Sequence, residues 1–247
     1  MRIILETMVK RLNHKIDIDD YIDCTHEKDI RIEDGKVSHI YLFAAETHSV
    51  GLSPAEAGEE PGIEYVIANR FIRNMNMALD KNPGRPALIH MKTDGGNWDD
   101  GMAIYDTIKS YPSPTTIINY SRAASMSSVI FLAADKKVMM PDSHFMYHNV
   151  AHYAEGNYHE LEHYVEFIKK SCEERLWQIY AGTLKKNGKF KKLSEPQIKE
   201  MLQENVRRKT DVFLTAEEAV EWGFADEIFD GNWGRLTEYT PAQRKRK

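Results

Sequence analysis

The sequence predicts an α/β fold built on a largely parallel sheet. Three observations carry this. Short apolar or β-branched runs alternate with helical periodicity from residue 39 onward. A strand, a Gly-Gly turn and a helix follow one another at residues 86–110. The same strand-to-helix step then recurs at residues 115–134. Strands separated by crossover helices pair in parallel, and repeated βαβ steps make one such sheet.

The elements follow in order. Residues 1–36 are charge-rich between Lys15 and Asp34 and show no clean period, so they read as an N-terminal extension of uncertain structure. Residues 39–44 read as a short buried strand, and residues 53–62, acidic with Gly and Pro, as a loop. Ile63, Val66, Ile67, Phe71 and Met75 have helical spacing, and Asn82-Pro83-Gly84 stops that helix. A strand at 86–91, the turn Thr93-Asp94-Gly95-Gly96 and a helix at 99–110 come next. A strand at 115–120, a helix at 123–134, and strands at 137–140 and 144–148 continue the alternation. One long amphipathic helix is expected over residues 156–183, on apolar positions from Leu161 to Ile179. A basic loop at 185–192 and a weaker helix at 195–206 follow. Thr215-Ala216-Glu217-Glu218 is a capping box opening a short helix that stops at Gly223.

Bulk properties narrow the partners. A chain of 247 residues buries a full core, as one large domain or one domain with an appendage. With 42% hydrophobic and 29% charged residues and a net charge of −5 spread along the chain, neither nucleic acid nor a membrane surface is the expected main partner. The basic run Arg244–Lys247 reads as a frayed, solvated tail. Cys24 and Cys172 make no metal or disulfide pattern, and no run reaches transmembrane length. Residues 1–6 are too short for a secretory core, so a reducing, cytoplasmic setting is expected and the Asn119-Tyr120-Ser121 sequon carries no meaning.

Two constellations could carry chemistry. His159-Glu160-Leu161-Glu162-His163 has the H-E-x-x-H spacing of a zinc helix. Glu162 puts a charge where such helices bury an apolar residue, and no third ligand follows at the expected spacing, so a solvated helix face is the preferred reading. The second constellation centres on Ser125, in the small-residue stretch Ser121–Ser128 at a strand-to-helix junction. A serine nucleophile needs a histidine within reach and an acid behind it. His148 ends a strand on the sheet edge where helix N-termini gather, and Asp211 precedes a further β run. Gly95-Gly96 and the residue after Ser125, Met126, offer backbone N–H groups to an oxyanion. Taken alone, the histidine could be structural, Asp211 a cap, and the glycines a tight turn.

Four segments together resemble the proteolytic subunit of Clp proteases, the ClpP family. Gly95-Gly96 with Gly101-Met102-Ala103-Ile104-Tyr105-Asp106-Thr107 resembles its glycine turn and following helix. Ala123-Ala124-Ser125-Met126 is similar to its nucleophile motif, and Pro141–His148 to the segment ending on its base. Asp211–Ala219 with Gly223 and Asp226 resembles its acid-containing run. The likeness spans residues 37–230, and it implies a crotonase-like spiral of βαβ units with a protruding handle helix. The expected division is an extension at 1–36, a peptidase domain at 37–235 and a tail at 236–247.

By this resemblance Ser125 is the nucleophile, His148 the base and Asp211 its orienter, with Gly96 and Met126 as oxyanion donors. No cofactor or metal is needed for that chemistry. The implied function is hydrolysis of peptide bonds, in peptides or unfolded proteins, within homo-oligomeric rings (a heptamer or stacked heptamers) that an AAA+ unfoldase could serve. The alternatives are a non-catalytic assembly subunit of the same family and an acyl-CoA enzyme of the crotonase fold. The sequence departs from the family at Asp94 (for Pro), Ser121 (for Gly) and Asn149-Val150 (for Gln-Pro), and through an insertion at 185–193. Residues 1–36 do not match the family's axial gate.

Overall fold

The computed structural model describes residues 30–33, 37–43, 62–81, 84–151 and 154–237. The readings of residues 1–29, of the loop at 53–61 and of the tail from 238 lie outside these. The strands are β1 (Ile30–Glu33), β2 (Val37–Phe43), β3 (Ala87–Thr93), β4 (Thr115–Ala124), β5 (Lys136–Met139), β6 (His144–Tyr147), β7 (Val212–Thr215) and β8 (Glu227–Ile228). They lie in the order β1-β2-β3-β4-β5-β8, with β6 beside β4 and β7 beside β6. All pairings are parallel except β1 with β2 and β6 with β7. The α/β fold with a mostly parallel sheet is therefore the one the alternation predicts. β1 arises from a stretch with no visible period, as an antiparallel edge to β2.

β4 organises the sheet. Its first half pairs with β5, Thr116 opposite Lys136 through Asn119 opposite Met139. Its second half pairs with β6, Arg122 opposite His144 through Ala124 opposite Met146. The expected helix at 123–134 is corrected here. Ala123 and Ala124 are strand residues, because Ala123 is held between Thr93 of β3 and Phe145 of β6, and Ala124 pairs with Met146 of β6. The helix that follows is short, and the sequon's Asn119 is fully buried in the strand.

The helices are α1 (Tyr65–Lys81), α2 (Trp98–Ser110), α3 (Met126–Phe131), α4 (Tyr158–Phe167), α5 (Glu174–Lys186), α6 (Glu195–Lys209), α7 (Ala216–Trp222) and α8 (Trp233–Thr237). The single helix expected over 156–183 is interrupted. A π-helical turn, Ile168–Glu173, separates α4 from α5. α4 buries none of its residues, whereas α5 buries Leu176, Trp177, Ile179, Tyr180, Ala181 and Leu184. A π turn rotates the residues that follow it, so the apolar stripes of the two halves face different surroundings. α6 runs three residues beyond its expected end, to Lys209. The Thr215 capping box and a left-handed Gly223 close α7 at both ends as expected.

The main core lies on one sheet face. Ile89, Met91 and Ile117 pack there under Phe71 of α1, Ile108 of α2, Phe131 of α3 and Trp177 and Tyr180 of α5. The alternate residues Leu88, Ile118 and Val138 point to the other face, where Leu236 of α8 covers them. Burial on both faces explains why β3 reads as a nearly continuous apolar run. That second face also carries a row in which His90 hydrogen-bonds His39 at 2.9 Å and Tyr120 at 2.8 Å. Burial, reinforced by His39, holds the His90 pKa down at about 4.

Candidate active site

Three strand ends converge on one edge of the sheet. β3 leads into Asp94-Gly95-Gly96, β4 into Ser125, and β6 into His148. Ser125 is the N-cap of α3 and has φ 52° and ψ −128°. That conformation costs a side-chain-bearing residue on the order of 1–3 kcal/mol, and it persists where the surroundings enforce it. It turns the chain sharply from strand to helix and lifts the hydroxyl out of the sheet edge. The Ser125 hydroxyl oxygen lies 2.7 Å from His148 Nε2.

Asp211 sits between α6 and β7. β7 pairs antiparallel with β6, with Val212 opposite Tyr147, so Asp211 lies beside His148. Its Oδ1 is 3.9 Å from His148 Nδ1, an ion-pair distance longer than a hydrogen bond. Thr210, just before it, has φ 62° and ψ −65°, and the Asp211 N–H donates to the Lys209 carbonyl at 2.7 Å. This is the strained, positive-φ γ-turn. Among the described residues, Ser125 and Thr210 are the two non-glycine positions with positive φ. One is the candidate nucleophile and the other aims the candidate acid. The pKa of His148 is lowered by burial, and the Asp211 carboxylate opposes that shift.

The Gly-Gly turn lies hard against Ser125. A Cβ on Gly95 would come within 2.8 Å of the Ala124 carbonyl and 2.9 Å of both Met126 N and Ser125 Cβ. Gly96 bridges Ile63 in parallel: Gly95 O accepts from Ile63 N–H and Asn97 N–H donates to Ile63 O, both at 2.7 Å. The pleat then turns the Gly96 N–H away from Ile63. Here φ is 152°, and a Cβ would meet the Ile63 backbone at 2.3 Å, so only glycine fits. Met126 begins α3, where N–H groups have no intrahelical acceptor. Its side chain occupies the space that Gly101 of α2 leaves, since a Cβ there would sit 2.1 Å from Met126 Cγ.

These groups open on a cleft of about 310 Å³ whose apolar wall includes Trp98, Val129, Tyr164, Leu176 and Tyr180. Asn149, after the histidine, donates to Glu173 of the π turn at 3.2 Å. The charge that Asp94 brings is met by Arg122 at 2.7 Å across β3 and β4. Both side chains are about half exposed, so the pair offsets charge locally and adds little stability.

All five sequence-predicted site residues thus lie at this edge; Ser125 and His148 meet at hydrogen-bond distance, and Asp211 stands farther off. Thr210, Ser128, Tyr180 and Glu173 were not legible as parts of the site, because a dihedral angle and a contact from a distant helix leave no motif. The H-E-x-x-H segment lies elsewhere, on α4. Its Glu160 accepts the Asn157 N–H in a capping box, and the His159 side chain is 83% exposed. Among the described residues, no three His, Cys, Asp or Glu side chains gather as a metal site.

The Clp protease family profile matches residues 60–232, and the chain belongs to that family. This places it, by class, among ClpP-like peptidases. A curated relative, the ATP-dependent Clp protease proteolytic subunit of Deinococcus radiodurans, is 29% identical over 170 residues, which are 68% of this chain and 76% of the relative. No helix among the described residues is long and apolar enough to cross a membrane.

Proposed function

We propose that this protein is a serine endopeptidase in which Ser125, His148 and Asp211 act as a catalytic triad. The observation that carries the proposal is the 2.7 Å contact between His148 Nε2 and a serine held in a strained strand-to-helix turn. With its proton on Nδ1, facing Asp211, the imidazole accepts the Ser125 proton at Nε2 as the oxygen attacks a peptide carbonyl. It then returns that proton to the leaving amine. The Gly96 and Met126 N–H groups stabilise the oxyanion, and the Asp211 contact shortens as substrate excludes water. The apolar cleft wall fits a peptide side chain beside the scissile bond.

The active form we propose is a homo-oligomeric ring that an AAA+ unfoldase could feed, acting on peptides or unfolded proteins in the cytoplasm. α4 supports this, because it shows Tyr158, Val165 and Phe167 to solvent and buries no residue of its own. A fluorophosphonate probe tests the chemistry: wild-type protein is labelled covalently and Ser125→Ala is not. Labelling that survives the substitution overturns the assignment. A second reading, a non-catalytic assembly subunit, draws on the 3.9 Å separation of Asp211 from His148. Rings that form but neither label nor cleave peptides would favour it.

A further inference from the structure

Two serines beside Ser125 take no part in the proton transfer proposed above, yet both are fully buried. Ser128 Oγ lies 2.6 Å from the Ser125 carbonyl oxygen and 2.6 Å from the Tyr180 hydroxyl. A carbonyl only accepts, so the one Ser128 proton goes to Ser125, and the Tyr180 O–H must donate to Ser128. The direction is therefore fixed: Tyr180 to Ser128 to the Ser125 backbone. Ser127 Oγ accepts the Ala124 N–H at 2.8 Å and donates to the Thr93 carbonyl at 2.7 Å, with the Ala124 carbonyl, also at 2.7 Å, as the alternative acceptor.

These bonds grip the strained turn on both sides. Ser127 ties Ala124 to the end of β3, one residue before Asp94-Gly95-Gly96. Ser128 ties Ser125 itself to α5, through a tyrosine that is fully buried. We infer that Ser127, Ser128 and Tyr180 are positioning residues, a hydroxyl clamp that holds the Ser125 turn in its reactive conformation. The inference rests on Ser125 being the nucleophile. Without the clamp the hydroxyl drifts from the His148 Nε2 line. A displacement of about 1 Å in a reacting group costs up to roughly 100-fold in rate.

The test uses the full-length protein, a fluorophosphonate for the labelling rate and a fluorogenic apolar peptide for steady-state kinetics. Ser128→Ala should lower the labelling rate and kcat by roughly 10- to 100-fold, leaving KM within about twofold and the pH midpoint in place. This variant also strands the Tyr180 hydroxyl, so Ser128→Ala/Tyr180→Phe is compared with it. The double variant removes both polar groups, and should regain the melting temperature but not kcat. Recovery of wild-type kcat in the double variant overturns the clamp, as does a KM effect without a kcat effect. Wild-type labelling by Ser128→Ala while Ser125→Ala stays silent overturns the clamp alone. Labelling of Ser125→Ala instead overturns the nucleophile assignment, a distinct result.

Discussion

His148 stands between two opposing influences. Burial disfavours the imidazolium and lowers its pKa, and the nearby Asp211 carboxylate pulls the other way without winning. In the proposed reaction this lowering favours the neutral, proton-accepting imidazole. The labelling rate should rise with pH to a plateau, with a midpoint below about 6.5, the ordinary histidine value. Asp211→Asn removes the opposing charge, so the midpoint should fall further and the plateau should drop by roughly 10- to 1,000-fold. The loss is smaller than for a fully buried, hydrogen-bonded acid, because Asp211 is half exposed and 3.9 Å away. A midpoint that rises in Asp211→Asn would contradict this account. Linkage has the same sign: the depressed folded pKa contributes stability above the unfolded value, and that contribution is lost as pH falls through the folded pKa. At this scale the sequence was most readable where the proposed chemistry needs a residue type, as at Ser125, His148 and Gly96. It was silent where a common residue acts by geometry. Thr210 is an ordinary threonine until its φ is known, and Tyr180 lies 52 positions from the serine it contacts.

Elements that begin with a strong local signal formed where their sequences placed them. Thr215 and Glu218 cap α7 reciprocally, and Gly223 ends it in the left-handed region. Thr215→Ala should therefore cost about 1 kcal/mol of stability, read as a lower urea midpoint at unchanged slope. A change below a few tenths of a kcal/mol would show that packing, not the cap, sets this helix start. Elements decided by tertiary contacts were misplaced instead. Ala123 and Ala124 have high helix propensity and yet lie in β4, because Ala123 pairs with strands on both sides and Ala124 with β6. The π turn was equally hidden. The apolar spacing from Leu161 to Ile179 fits one helix, and only the tertiary structure shows that α5 buries its face while α4 leaves its own exposed.

On the scale of the whole molecule, α4 carries apolar side chains that the described residues leave exposed. The capping box of Asn157 and Glu160 starts α4, and the helix runs on through the π turn into α5, so its backbone is held at both ends while its side chains stay outside the core. Helices in proteins owe most of their stability to burying an apolar face, yet Tyr158, Val165 and Phe167 are 73%, 46% and 56% exposed. In the ring proposed above, this face is where a second copy of the chain would dock. Tyr164 of the same helix lines the cleft, so docking α4 in an assembly also fixes one wall of the candidate active site. Assembly and activity should then be lost together. In sedimentation velocity the wild-type protein should run as a species several times the mass of one chain. Phe167→Glu places a charge on that face and should shift it to smaller species. Because Phe167 does not line the cleft, its effect on peptide cleavage should follow the loss of large species across protein concentrations. A wild-type protein that is monomeric at all concentrations, or a Phe167→Glu variant that assembles normally, would remove α4 from the interface.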